Sequence, residues 1–169
     1  MAKEQAVLKY PPVSAFIRDN YLVLLIFAAG LALRIYTIGS ESIWYDEAVS
    51  VAVAKLGFVE HLRWITEVDD NNPPLYYTLL HLWVQVFGDS EASVRMPSAI
   101  FGSLSILVIY ALGNLLFDKK TGLVAASILA VSIFNIIYSQ EARAYSLMTF
   151  LALLSFYFLV RMTMSGKWV

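Results

Sequence analysis

Two adjacent carboxylates, Asp46 and Glu47, stand in the run Trp44-Tyr45-Asp46-Glu47. Two acids held at a membrane surface cost free energy unless something there uses them. Trp and Tyr favour that depth, because their rings are apolar and their edges polar. Carboxylates at the mouth of a membrane site can accept a proton from a hydroxyl or hold a cation. A solvated helix start, whose dipole welcomes acids, is the plain alternative.

Further charges sit in otherwise apolar sequence. Arg34 lies about one turn before the end of the first apolar run, where it can snorkel to the surface or hold an anionic headgroup near Asp46. Glu91 and Arg95 are spaced for an i,i+4 ion pair at a helix start. Glu141 and Arg143 are the only charges between Lys120 and Arg161. Two residues apart on a helix they point apart, so each is a site candidate unless the segment is simply a polar turn. His81 shares a helical face with Thr78 and Gln85, and a lone His there is more often a structural hydrogen-bonder than a ligand. His61 reads as solvated. There is no metal-ligand spacing, no phosphate-cradling Gly loop and no Ser/His/Asp set. Carboxylates and arginines around an outward-facing cavity suit chemistry on a phosphate-bearing lipid, with Arg gripping phosphate and a carboxylate taking a hydroxyl proton. A small proton-coupled transporter suits the same charges, but it predicts discontinuous helices in two related halves, and no such repeat is visible.

The elements that must position these groups are membrane helices. Of the 169 residues 59% are hydrophobic and 15% charged, against about 25% charged in soluble domains, and the mean hydropathy is +0.67. The expected fold class is an all-α membrane protein with about four transmembrane helices in a single module. A net charge of −1 gives no reason to expect a nucleic-acid partner, and the absence of cysteine excludes disulfides and Cys-ligated metals. The first apolar run has no clear small-residue cleavage site, so it reads as a retained helix rather than a signal peptide.

The predicted spans are residues 21–38, 96–117, 122–138 and 145–160. Between the first two lies an outer loop, 39–94, with interfacial helices expected over 48–65 and 75–87. Gly57 should break the former, and Pro74 should start the latter as a first-turn proline. Lys55, Glu60, His61 and Arg63 are expected to face water. Four spans put Lys3, Lys9, Arg18, Lys119, Lys120, Arg161 and Lys167 on one side and the acidic loop on the other. By the positive-inside rule both termini are then cytoplasmic in the plasma membrane, and the loop faces outside or the periplasm.

Four motifs now occur in order: Trp44-Tyr45-Asp46-Glu47, then Asn-Asn-Pro-Pro-Leu-Tyr-Tyr from Asn71, Glu-Ala-Ser-Val-Arg-Met-Pro-Ser-Ala from Glu91, and Ser-Gln-Glu-Ala-Arg-Ala-Tyr from Ser139. The chain resembles the N-terminal part of the polyprenyl-phosphate-sugar-dependent glycosyltransferases of the C-type membrane fold, in the branches of the protein O-mannosyltransferases and the lipid A aminoarabinose transferase. The resemblance covers roughly residues 35–150. It implies that Asp46, with Glu47 beside it, is the general base that takes a proton from an acceptor hydroxyl attacking the anomeric carbon, with inversion. It maps Arg95 onto the family's loop-end arginine and Glu141 near a second acidic position that orients acceptor or sugar. Arg34, Arg143 and His81 would neutralise the leaving phosphate.

The implied partners are a polyprenyl-phosphate-linked sugar, membrane lipid, a hydroxyl acceptor of unknown identity, and another copy or a partner subunit. No cofactor is expected, and a divalent metal stays open. Family members are longer, so contacts from later loops would be missing from this chain. The alternative to a catalytic module is therefore a truncated or accessory one that binds polyprenyl phosphate without turnover.

Overall fold

The computed structural model describes residues 13–68 and 73–165, with side chains from Asp19 onward. Lys3, Lys9, Lys167, the Arg18 side chain and residues 69–72 lie outside the described residues. The described residues form helices and turns without strands, as expected for an all-α membrane protein. In chain order these are α1 (Val13–Ile35), α2 (Tyr45–Ala54), α3 (Phe58–Arg63), a π-helical turn (Trp64–Val68), α4 (Pro74–Phe87), α5 (Glu91–Leu116), α6 (Lys119–Ala130), α7 (Ile133–Ser139) and α8 (Tyr145–Ser165).

α5 is the central helix and packs against α1, α4, α6, α7 and α8. Its buried positions include the small residues Ala99, Gly102, Ser103, Ser105 and Gly113, which let neighbouring backbones approach where lipid supplies no hydrophobic drive. The closest approach is between Gly113 and Gly122: a Cβ on Gly113 would sit 2.8 Å from the Gly122 Cα. Asp118 caps α6 by accepting the Thr121 N–H at 2.7 Å, which closes the α5–α6 turn and lets α6 fold back along α5.

By length and composition α5 and α8 can each cross a membrane, and α6 with α7 makes a third span if that pair, bent by 59°, counts as one. The bend has a local cause. Ser132 starts a new helix, its hydroxyl accepting the Asn135 N–H at 3.5 Å, so residues 122–138 do not run as one straight helix. α1 lies beside α5, α6 and α7 in the same bundle.

Within residues 39–94, α2 packs on α4 and α4 packs on α5. Gly57 separates α2 from α3, and Pro74 opens α4. α4 turns Tyr76, Tyr77, Leu80, His81 and Val84 inward. With Val51, Ala54, Val94, Ala142, Ala144 and Leu147, the residues Tyr76, Leu80 and Val84 form a core beneath the loop. The expectation that His61 faces water is corrected. It is fully buried and stacks on His81, with ring centroids 4.5 Å apart. Both rings place Nδ1 on the C-terminal carbonyls of α2, His61 on Val53 at 3.1 Å and His81 on Ala54 at 2.9 Å. A helix C-terminus leaves carbonyls without intrahelical partners, and two imidazoles on helical neighbours satisfy them without solvent.

Candidate functional site

Asp46 and Glu47 open α2, where acidic side chains complement the helix dipole. Consecutive helical residues point about 100° apart, and here that rotation gives the two acids different surroundings. The Glu47 side chain is fully buried, whereas that of Asp46 is 39% exposed.

Glu47 meets the Arg95 guanidinium in a two-point contact, Nε to Oε1 at 2.9 Å and Nη2 to Oε2 at 2.7 Å. Its Oε1 also accepts the Ala142 N–H at 2.7 Å, and Oε2 the Trp44 N–H at 3.5 Å. Burial would raise the Glu47 pKa, but the Arg95 and Ala142 hydrogen bonds outweigh it and hold the carboxyl below the usual range. Arg95 donates further to the carbonyls of Ile38 at 2.9 Å, Glu41 at 2.8 Å and Ser42 at 3.2 Å. Arg95 therefore pairs with Glu47 rather than with the sequence-local Glu91. The pair ties together the α1–α2 loop, the start of α2, the start of α5 and the α7–α8 turn.

Glu141 and Arg143 lie in that turn, not on a helix, and they face different ways. Arg143 Nη2 stands 4.0 Å from Asp46 Oδ2, and its guanidinium carbon is 5.9 Å from the Tyr145 ring centre. The Ser98 hydroxyl donates to the Arg143 carbonyl at 3.1 Å and lies 3.0 Å from the Tyr76 hydroxyl. Glu141 instead joins Trp44, Gln140, Glu41 and the Glu47–Arg95 pair around a cavity of about 530 Å³. Partial burial, and then the charge of Glu47, push its carboxyl above the usual range. A second cavity of about 280 Å³ is lined by Arg143, Ser50, Tyr76, Tyr77, Tyr145 and Met148, among others. Ser50 lies one turn after Asp46 and donates to its carbonyl at 3.1 Å.

Two candidate residues are placed elsewhere. Arg34 does not snorkel: it is fully buried. Its guanidinium donates to the carbonyls of Gly30 at 2.7 Å, Ala130 at 3.1 Å and Leu129 at 3.1 Å, and to Asn135 Oδ1 at 2.5 Å. It thereby satisfies the carbonyls exposed where α6 breaks into α7, and it lines neither cavity. His81 is engaged with α2 and lines neither cavity.

Residues the sequence reading passed over include Ser98, Tyr76, Tyr77, Asn135 and Gln140, whose amide donates to the carbonyls of Arg34 at 3.1 Å and Tyr36 at 2.7 Å. Gln140 and the two tyrosines lay inside motifs already singled out. Ser98 and Asn135 carried no signal beyond a polar group in an apolar run. Among the described residues, no group of three or more His, Cys, Asp or Glu side chains could hold a metal ion.

The family described as dolichyl-phosphate-mannose-protein mannosyltransferase matches residues 71–169, more than half of the chain. That stretch contains Arg95, Glu141 and Arg143 but begins after Asp46 and Glu47. An uncharacterized protein of Aquifex aeolicus (strain VF5) is 26% identical over 140 residues, covering 79% of this chain and 28% of the relative. A Bacillus subtilis (strain 168) protein, provisionally named the mannosyltransferase YkcB, is 25% identical over 158 residues, covering 88% of this chain and 21% of the relative. The chain thus spans roughly a quarter of the length of these relatives. No solved structure matches it.

Proposed function

The chain belongs to the dolichyl-phosphate-mannose-protein mannosyltransferase family, and from that premise we propose that it transfers a sugar from a polyprenyl-phosphate-linked donor to an acceptor hydroxyl, with inversion, on the outer face of the membrane. Asp46 accepts the proton of the acceptor hydroxyl as that oxygen attacks the anomeric carbon. The bond from that carbon to the phosphate oxygen breaks, and its electron pair leaves with polyprenyl phosphate. The attack comes from the face opposite the leaving group, so the configuration inverts. Proton transfer can lag bond cleavage at an oxocarbenium-like centre, so a carboxylate of modest basicity suffices.

Arg143 faces the growing negative charge on the phosphate, the kind of stabilisation that usually contributes most to such a step. Glu141 orients the acceptor or the sugar. Glu47 and Arg95 hold together α2 and the α7–α8 turn, on which these groups are mounted.

The observation that carries this reading is the division of the acidic pair. Glu47 is locked by Arg95 and Ala142, while Asp46 stays accessible, 4.0 Å from Arg143, which itself lines the smaller cavity. In the membrane we assign four spans, with α1 first and the bent α6–α7 pair third, the termini cytoplasmic and the α2–α4 layer outside.

The test is to reconstitute the purified protein with a polyprenyl-phosphate-linked mannose and follow release of polyprenyl phosphate. Release that depends on an added hydroxyl acceptor, with an inverted glycoside as product, is the expected result. Lipid binding without turnover would make the chain a binding module instead.

A further inference from the structure

Ser98 departs from what a serine inside a helix ordinarily does. A helical hydroxyl by default bonds back to the carbonyl four residues earlier. On the same helix Ser103 and Ser105 do so, to Ala99 at 2.7 Å and to Phe101 at 2.9 Å. Ser98 is fully buried on α5 and instead reaches across to the α7–α8 turn, where it meets the Arg143 carbonyl at 3.1 Å. Its oxygen also lies 3.0 Å from the hydroxyl of the buried Tyr76 on α4.

Proton counting fixes the direction of these bonds. A carbonyl only accepts, and Ser98 has a single hydroxyl proton. That proton goes to Arg143, so the Tyr76 hydroxyl donates to Ser98. Burial pushes the pKa of the Tyr76 phenol up, so it keeps the proton it donates. The bonds thus run one way, from α4 through α5 to the backbone of Arg143, and each donor strengthens the next.

Three hydrogen bonds act on the backbone around Arg143. The Ala142 N–H donates to Glu47 at 2.7 Å, and the Arg143 N–H donates to the Glu141 carbonyl at 2.8 Å. Both fix the turn ahead of the Arg143 α-carbon. The Ser98 bond fixes the peptide that follows it, just before α8 opens at Tyr145. Together they set where the arginine side chain leaves the backbone, with its guanidinium 4.0 Å from Asp46. A small rotation of the last peptide is amplified along so long a side chain. Misplacing a reacting or charge-stabilising group by an ångström costs up to about a hundredfold in rate.

We propose that Ser98, with Tyr76 behind it, is a positioning residue for the sugar transfer: its hydroxyl holds the Arg143 peptide so that the guanidinium is preset against the charge that develops on the leaving phosphate. This rests on the transferase reading and adds to it a residue that acts through Arg143.

Two measurements on reconstituted protein, expressed per folded molecule, test this. The first is transfer from a polyprenyl-phosphate-linked mannose to a hydroxyl acceptor. Ser98→Ala should lower kcat about tenfold with little change in KM, because the lost stabilisation belongs to the transition state. Ser98→Cys keeps a side chain of similar shape with a weaker donor, and its kcat should fall between those of wild type and Ser98→Ala. Tyr76→Phe keeps the ring and removes the first donor. It should lower kcat less than Ser98→Ala does, and add little when combined with it.

The second is a double-mutant cycle on the affinity for polyprenyl phosphate, the product that carries the fully developed charge. Ser98→Ala should weaken binding about tenfold when Arg143 is present. In an Arg143→Gln background the same substitution should change it less than about twofold, because the group it positions is gone. An equal loss in both backgrounds, or a Ser98→Cys protein as active as wild type, makes Ser98 a packing residue. That overturns the proposal and leaves the transferase reading standing. Wild-type protein that binds polyprenyl phosphate without turnover removes the transferase reading, and with it the role in transfer. Wild-type protein that neither binds nor transfers removes both.

Discussion

Glu47 and Arg95 are joined by two hydrogen bonds, at 2.9 and 2.7 Å, between side chains that are 0% and 5% exposed. Removing one partner of such a buried pair strands the other's charge. Arg95→Met should therefore destabilise the protein by about 3–5 kcal/mol, read as a loss of thermal stability in detergent. Adding Glu47→Gln to Arg95→Met should recover part of that loss, because the stranded carboxylate is then gone. A double variant less stable than Arg95→Met alone would contradict this.

Glu47 and Glu141 should give opposite pH responses. The Glu47 pKa is depressed in the folded protein, so its contribution is present above the unfolded-state value and lost as pH falls through the folded one. The Glu141 pKa is raised, so the fold binds the extra proton, and stability from this group falls as pH rises from the ordinary glutamate range through the folded value. Glu141→Gln should then raise the melting temperature at pH 7, and the gain should vanish well below the ordinary glutamate range. A gain that is the same at both pH values would show that ionisation of Glu141 is not its source.

Arg34 is expected to act on the fold rather than on substrate. Arg34→Leu removes the donor from the Ala130 carbonyl and leaves that of Leu129 with backbone N–H donors alone, at about 1–3 kcal/mol for a buried group left unsatisfied. The variant should melt earlier, while the fraction that folds binds polyprenyl phosphate with unchanged affinity. Weaker binding at full thermal stability would restore Arg34 to the substrate site.

The span assignment is checked by thiol accessibility. Lys120→Cys should be shielded from an external membrane-impermeant reagent, and Ser40→Cys should react. External labelling at position 120 would remove the four-span arrangement.

These predictions divide along a line that also separates what could be read in the sequence from what could not. The Gly57 break, the start of α4 at Pro74 and the acidic opening of α2 all follow from local backbone chemistry, and all are present. Arg95 was a local candidate partner for Glu91, yet its partner lies 48 residues away in sequence. Arg34 could be imagined snorkelling because the sequence does not show that α6 breaks at Val131 beside it. His61 reads as solvated in the sequence because nothing local shows that His81 will stack on it. The charged side chains could thus be recognised as unusual from sequence, but their roles depend on long-range contacts that separate two neighbours as similar as Asp46 and Glu47.

The central claim is that Asp46 is the base and Glu47 its scaffold. The direct measurement compares Asp46→Asn with wild type for sugar transfer from a polyprenyl-phosphate-linked donor, with thermal stability and lipid-phosphate binding measured on the same preparations. The account predicts that transfer is lost while the other two are retained. Transfer at the wild-type rate by the folded Asp46→Asn protein would contradict it.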